Sequence, residues 1–179
     1  MHMATKIKRW TLEEVDSLPD DGNKYELVRG ELFVTPPPTD DHETIAARLT
    51  RILDPFIAAN GLGMLYHPRA VMQFEGSQVE PDLMVRQPQA SRKATWKDAP
   101  TPILIVEIAS PYTRRRDRVQ KRSLYVDAGV EEYWLVDPED NTVTSIREGR
   151  ADIVSREQLV WAPTGAQATL ALDIASIFG

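Results

Sequence analysis

An acidic residue interrupts an otherwise apolar segment near the middle of the chain. Glu107 lies within the sequence ILIVEIA, whose composition is typical of a strand buried in a covered sheet. A carboxylate in such a place must be paired, bind a metal ion, or lose its charge through a raised pKa. Strand alternation puts Glu107 on one face with Ile103, Ile105 and Ala109. Glu107 is therefore either an acid neutralised by an arginine or by backbone donors, or part of a functional site.

A second acid stands at the start of the apolar segment LMV. Asp82 follows Pro81, and a proline suits an edge, a bulge or the first residue of a strand. If the strands of Asp82 and Glu107 lie side by side, their carboxylates repel each other unless a cation lies between them. Mg²⁺ fits such a pair, because it commonly takes one or two carboxylates, several waters and phosphate oxygens. Taken alone, Asp82 is equally well explained as a turn acid after a proline.

Three polar residues on the next predicted helix share one face. Asp117, Lys121 and Tyr125 are spaced four residues apart. Considered alone, they are better explained as an ordinary helical ion pair, worth roughly 0.2–0.5 kcal/mol, with a tyrosine packed beside it. In a strand-helix unit, however, the helix packs back over the sheet. The long amine of Lys121 could then reach the end of the strand that carries Glu107.

Local signals predict the elements that must position these residues. Thr11 and Glu14 match a capping box before a short helix. The segment KYELVRGELFV predicts a hairpin with Gly30 in its turn, and we expect Glu26 and Glu31 on its solvated face.

The rest of the chain alternates between helical and strand patterns. A stripe of apolar residues predicts a long helix over residues 41–60, which Pro55 should kink or end early. Residues 87–100 lack periodicity and predict a long loop, of a kind that is often functional. The remaining predicted elements are strands at 64–67, 70–75, 80–86, 103–109 and 131–138, a helix at 114–128 and a hairpin at 142–147.

Composition and missing motifs narrow the class of protein. The 179 residues are 42% hydrophobic and 27% charged, which favours one folded domain over residues 1–179, with residues 1–3 compatible with a cloning remnant. There is no Cys and no apolar run long enough for a membrane span, so we expect a cytoplasmic protein with no membrane partner. The P-loop, GxGxxG, GxSxG and HExxH motifs are absent, which disfavours nucleotide hydrolases, Rossmann enzymes, serine hydrolases and zinc proteases.

Charge along the chain is uneven. The net charge of −6 gives no support to nucleic-acid binding by the whole surface. One local segment, TRRRDRVQKR at residues 113–122, is strongly basic. Its residues Arg114, Arg115, Arg116 and Arg118 could contact phosphates, although a solvated helix start explains them equally well.

The ordered set of motifs resembles a known family. Pro81-Asp82, the Glu107 strand followed by Ser-Pro, the helix with Asp117, Lys121 and Tyr125, and EYWLVDP occur in the order found in the Uma-two family of restriction-endonuclease-like proteins. KYELVRGEL and the start of the long helix extend the resemblance over nearly the whole chain. That family belongs to the PD-(D/E)XK nuclease superfamily. The resemblance implies an α/β fold with a restriction-endonuclease-like mixed central sheet flanked by helices, an N-terminal hairpin and extra C-terminal strands.

The resemblance also implies an activity, which is metal-dependent hydrolysis of phosphodiester bonds in DNA. Asp82 and Glu107 would hold Mg²⁺, for which Mn²⁺ could substitute, and the backbone carbonyl of Ala109 would be a further ligand. The superfamily usually has a lysine where this chain has Ala109, and the family's amine is at the position of Lys121. Lys121 would orient the attacking water or stabilise charge in the transition state. Asp117, one helical turn away, would position Lys121.

Other residues and functions remain open. Tyr125 would either donate a hydrogen bond to the site or simply pack. In related nucleases an acid on the first helix assists the metal, so Glu43 is a candidate, although a solvated first-turn acid is the better explanation. His42 is more often a capping or solvated residue than a ligand. A catalytically silent module that binds DNA or a protein partner, and an RNA-processing nuclease, are the alternatives, and a homodimer would suit cleavage of both strands.

Overall fold

The N-terminal elements form where local signals predict them. The computed structural model describes residues 8–110, 113 and 117–179. Helix α1 spans Leu12–Asp16, and its capping box is present, with Thr11 N donating to Glu14 Oε2 at 2.9 Å. Strands β1 (Lys24–Val28) and β2 (Glu31–Thr35) form the predicted hairpin. Arg29 and Gly30 have φ of 52° and 84°, the left-handed conformations that a two-residue hairpin turn requires.

The long helix α2 covers one face of the main sheet. It spans Asp40–Ala59 and begins at Thr39, whose Oγ1 accepts a hydrogen bond from His42 N at 3.3 Å. Its buried stripe runs from Ile45 to Ile57. Pro55 was predicted to kink the helix or to end it early, and the early end is wrong, because the helix continues to Ala59. Pro55 is exposed, so water can hydrate the carbonyl that loses its partner, while the buried stripe holds the helix on both sides.

The strands form three sheets. The strands after the hairpin are β3 (Met64–Tyr66), β4 (Met72–Phe74), β5 (Ser77–Val79), β6 (Leu83–Arg86), β7 (Leu104–Ile108), β8 (Glu132–Asp137), β9 (Thr142–Ile146), β10 (Ile153–Ser155), β11 (Gln158–Trp161) and β12 (Leu170–Asp173). The central mixed sheet has six strands in the order β10, β9, β8, β7, β6 and β3, and among the described strands only β7 and β8 are parallel. A four-stranded antiparallel sheet has the order β2, β1, β5, β4, and β11 pairs with β12.

Helical segments complete the framework. A π-helical turn, Asp117–Lys121, continues into α3 (Arg122–Asp127), which lies in the chain between the parallel strands β7 and β8. A short helix, α4 (Ala175–Phe178), follows β12 and packs on α2. The predicted mixed sheet flanked by helices is therefore confirmed. Nowhere in the described residues does a helix have both the length and the apolar composition needed to cross a membrane.

Strand β7 separates two hydrophobic cores. Leu104, Val106 and Ile108 pack into the core that α2 covers. Ile105 and Ala109 pack into a second core with α3 and the four-stranded sheet. The predicted alternation is confirmed for Ile105 and Ala109, and Glu107 is on the side of the second core. It is wrong for Ile103, which lies before β7 and packs against the first core.

Two parts of the strand prediction are wrong. The segment predicted as strands at 70–75 and 80–86 contains a further strand, β5, which pairs with both β4 and β1. Residues 142–147 do not form a hairpin of their own, since β9 is one strand that pairs with β8 and β10. The loop predicted at 87–100 is confirmed, apart from one 3₁₀ turn at Trp96–Asp98.

Candidate active site

Asp82 is held at the start of β6 by three donors. Strands β6 and β7 are antiparallel with Leu83 opposite Val106, so Asp82 lies beside the Glu107 end of β7. Its Oδ2 accepts from Ile108 N at 2.8 Å and lies 3.1 Å from His42 Nε2, while Lys24 Nζ donates to Oδ1 at 3.3 Å. Burial would raise the pKa of Asp82, but the charge of Lys24 and the His42 contact hold it well below its usual range. Asp82 is therefore ionised.

Glu107 is almost completely buried beside α3. Its Oε1 accepts hydrogen bonds from Lys121 Nζ at 2.8 Å and from Tyr125 OH at 2.5 Å. The prediction that the Lys121 amine reaches the Glu107 strand end is confirmed. Burial raises the pKa of Glu107 to about 7, with the charge of Lys121 opposing and that of Asp82 adding to the rise. A cation arriving near Glu107 would lower that pKa and favour the carboxylate.

Lys121 joins two acids from different sheets. Its Nζ lies 2.8 Å from Glu107 and 2.8 Å from Glu26 Oε1, and 3.8 Å from Asp117 Oδ1. The side chain has no exposed surface. Burial would lower the pKa of Lys121, but the charges of Glu107 and Glu26 raise it above its usual value, so Lys121 is an ammonium. The π-helical turn that ends at Lys121 is a feature often found at functional sites.

The prediction that Glu26 lies on the solvated face of the hairpin is wrong. Glu26 is fully buried, because its Oε1 contacts Lys121 Nζ at 2.8 Å and accepts from Glu80 N at 3.0 Å instead of facing water. Glu31 is exposed, as expected, and accepts from Gln120. The prediction relied on the alternation of charged and apolar residues in KYELV. That alternation is the same whether the charged face of the strand is covered or solvated.

Lys24 is the site residue that the sequence prediction missed. It lies two residues before Glu26 on the same face of β1. Its Nζ donates to the backbone oxygen of Glu80 at 3.0 Å and to Asp82, and the side chain is 18% exposed. The signal available in the sequence was a pair of opposite charges on one strand face.

His42 and Glu43, in the first turn of α2, differ in their surroundings. His42 contacts Asp82 and its side chain is 18% exposed, so the prediction of a capping or solvated histidine is wrong. Burial lowers the pKa of His42, but the hydrogen bond and charge of Asp82 raise it above its usual value. Glu43 is 64% exposed and lies 3.6 Å from His42 Nδ1, which matches the expected solvated first-turn acid.

A cavity of about 240 Å³ opens over these groups. The prolines at 36–38 form part of its wall. Its ionisable lining residues are Lys24, His42, Arg69, Glu80, Asp82, Glu107 and Asp117. Lys121 and Ala109 do not belong to the described lining. Ala109 is buried and its N–H donates to Val136 O at 2.8 Å. Burial raises the pKa of Glu80.

The basic segment is described only in part. Arg114, Arg115 and Arg116 lie outside the described residues. Arg118 is half exposed, and its Nη2 donates to Asp137 Oδ2 at 3.1 Å. One of the four arginines expected to contact nucleic acid is thus already paired with a buried acid.

The carboxylates of this site suit a divalent cation. Among the described residues, four buried carboxylates, Glu26, Asp82, Glu107 and Asp117, lie close to the basic side chains of Lys24, Lys121 and His42. Glu107 is among the residues that line the cavity, and no described residue donates a hydrogen bond to its Oε2. Groups of three or more His, Asp or Glu side chains arranged to hold a metal are absent from the described residues. Two carboxylates, with waters and phosphate oxygens, match the ligand set of Mg²⁺.

Comparisons with known proteins agree with this architecture. Among solved structures, the crystal structure of a protein from Anabaena variabilis described as "a putative nuclease belonging to DUF820" is 22% identical. It matches with a TM-score of 0.80 over 94% of this chain and 97% of that chain, which shows a shared fold. None of the curated proteins compared matches the chain. The profile of the Uma2 family, described as "Putative restriction endonuclease", matches residues 12–175. By this match over most of its length, the chain belongs to the Uma2 family of putative restriction endonucleases.

Proposed function

We propose that this protein is a Mg²⁺-dependent endonuclease that hydrolyses phosphodiester bonds in DNA. The observation that carries the proposal is the pair of carboxylates, Asp82 and Glu107, which come from neighbouring strands and line one cavity. Membership of a family of nucleases supports the reaction class. The choice of DNA over RNA rests on that family, because both polymers carry the same phosphate linkage.

In this proposal Asp82 and Glu107 hold the metal ion. When bound, the ion would polarise the scissile phosphate and lower the pKa of a bound water. Ile108 N and His42 orient Asp82, and Lys121 and Tyr125 orient Glu107. These contacts hold both ligands in place before substrate arrives, so little reorganisation accompanies the reaction. The Ala109 carbonyl stays a predicted further ligand.

Lys121 has a different role in this proposal from the one expected from sequence. An ammonium without exposed surface cannot contact an attacking water in the cavity unless the site opens. Lys121 therefore acts through Glu107, as a positioning residue whose charge opposes the rise in the pKa of that carboxyl. Asp117 in turn lies 3.8 Å from Lys121 and adds to the charge that stabilises it.

One observation favours a silent binding module as the second candidate function. Lys24 and His42 together neutralise the charge of Asp82, so this carboxylate is satisfied without a metal ion. A protein that had lost its activity would keep such a pairing, because breaking it would leave a buried charge. Cleavage assays separate the two candidates.

The test is cleavage of supercoiled plasmid, linear duplex, single-stranded DNA and RNA, each with Mg²⁺, Mn²⁺ or EDTA. We expect DNA cleavage with either metal and none with EDTA. Asp82→Asn should lower the rate at least about 100-fold, whereas Asp54→Asn, an exposed acid on α2, should leave it unchanged. Folded protein that cleaves nothing would refute the proposal, as would cleavage that survives Asp82→Asn. Cleavage of RNA alone would establish the RNA-processing alternative.

A further inference from the structure

The amine that borders the cavity comes from the N-terminal hairpin. Lys24 and Lys121 both have their ammonium groups among the acids of the site, but they differ in access. Lys24 lines the cavity with a side chain that is 18% exposed, whereas Lys121 has no exposed surface and contacts the acids from behind. Arg69 also lines the cavity, where its guanidinium lies near Asp20 and Glu80, but Lys24 is the cation that contacts Asp82. A phosphate bound beside Asp82 would therefore meet the ammonium of Lys24.

Lys24 also contacts Asp82, one of the two proposed metal ligands. Its Nζ is 3.3 Å from Asp82 Oδ1, longer than the roughly 2.7–2.9 Å of a strong charge-assisted hydrogen bond. Its second partner is a neutral backbone oxygen, that of Glu80 at 3.0 Å. Both of these contacts are longer than the two 2.8 Å contacts of Lys121. A flexible four-carbon stem lets the ammonium turn from Asp82 toward an incoming anion without leaving the site.

We infer that Lys24 is the catalytic lysine of this enzyme, and that it contacts a non-bridging oxygen of the scissile phosphate. The inference rests on the proposed nuclease function and adds to it a residue from β1, far from the position after the Glu107 strand where the superfamily's lysine usually stands. Here that position is Ala109, whose side chain carries no charge.

The reaction balances without a proton from Lys24. The oxygen of a water molecule forms a bond to phosphorus as the bond from phosphorus to the leaving sugar oxygen breaks. The proton lost by the water passes to solvent, and the leaving oxygen takes one from solvent. Lys24 stays protonated and stabilises the negative charge that builds up on the phosphate oxygens, a contribution worth about 10²–10³ in rate for one well-placed donor.

The experiment compares Lys24→Met and Lys24→Gln with Lys97→Met, an exposed lysine in the loop before β7. Glutamine can still donate to Asp82 and Glu80 but has no charge, and it remains informative if the methionine variant does not fold. Single-turnover cleavage of the best DNA substrate, thermal unfolding and calorimetric titration with Mn²⁺ are measured for each variant.

We expect both Lys24 variants to cleave about 10²–10³-fold more slowly while Lys97→Met cleaves normally. Mn²⁺ should bind the Lys24 variants at least as tightly as the unmodified protein, because a competing cation has been removed from Asp82. A Lys24→Gln variant that cleaves within threefold of the unmodified rate would overturn the inference and leave the proposed function intact. Loss of Mn²⁺ binding together with cleavage would also overturn it, by showing that Lys24 only shapes the metal site. Absence of cleavage by the unmodified protein would instead refute the proposed function, and this inference with it.

Discussion

Replacing Lys121 with methionine should strongly destabilise the protein. Methionine has nearly the length of lysine and fills the same space, so the packing beside Tyr125 is largely kept. What is lost is the positive charge between Glu107 and Glu26, each of which lies 2.8 Å from Nζ. Two buried carboxylates then face each other with no ammonium between them.

The expected loss is about 3–5 kcal/mol in the free energy of unfolding, the range found when one partner of a buried ion pair is removed. The loss should be largest above the pKa of Glu107, which is about 7, and smaller at pH 6, where this carboxyl takes up a proton. A second substitution, Glu26→Gln, removes one of the two stranded charges. We therefore expect Lys121→Met with Glu26→Gln to be more stable than Lys121→Met alone by about 1–3 kcal/mol.

The assay is urea unfolding at pH 8 and pH 6 in EDTA, followed by circular dichroism and extrapolated to water. Lys97→Met, an exposed control, should change the unfolding free energy by less than about 0.5 kcal/mol. A loss below about 1 kcal/mol for Lys121→Met at pH 8 would refute the reasoning, because it would mean that Glu107 and Glu26 do not depend on this ammonium. Equal losses for the single and double variants would refute the role given to Glu26.

Two further predictions follow from the same structure. Burial raises the pKa of Glu107 from 4.5 to about 7, so the folded state binds the proton of this carboxyl more tightly than the unfolded state. The stability that this proton contributes, on the order of 3 kcal/mol in EDTA, is present below pH 4.5 and is lost as the pH rises through about 7. Glu107→Gln should therefore reduce the fall in melting temperature between pH 5 and pH 8, and an unchanged fall would contradict the raised pKa of Glu107. Gly63→Ala should destabilise by more than about 2 kcal/mol, because φ is +108° and the new Cβ would lie 2.3 Å from Arg86 O. Gly61→Ala, with φ of +64° and open space, should cost only about 1 kcal/mol, and equal costs in urea unfolding would show that the contact with Arg86 is unimportant.

Elements with local signals could be predicted from the sequence. The capping box of Thr11 and Glu14 is complete within four residues, and the hairpin turn at Gly30 needs only its own conformation. The buried stripe of α2 follows from helical spacing. In each case the stabilising contacts join residues close in the chain, so their pattern can be recognised without the rest of the fold.

Errors arose where the pattern of one segment does not decide the outcome. Strand β5, Ser77–Val79, forms a tight hairpin with β4 around Glu75 and Gly76, but it also pairs with β1, which is far away in the chain. Strand β9 was predicted as a hairpin because its length alone does not show that it pairs with β8 and β10. Pro55 is tolerated because its side of α2 is exposed, which the local rule for proline does not include.

The candidate active site also combines features that follow from the sequence with features that only the tertiary structure decides. That Glu107 is buried, shares a face with Ile105 and lies within reach of Lys121 follows from the period of two along a strand and from the helix that succeeds it. That Glu26 is buried against Lys121, and that Lys24 reaches Asp82 across 58 residues of chain, depends on how the hairpin sheet packs beside the central sheet. The alternation of side chains along a strand shows which of them share a face, but a charged face is stable both in contact with water and in contact with opposite charges. Which of these two environments it has depends on the charged residues that other elements place beside it.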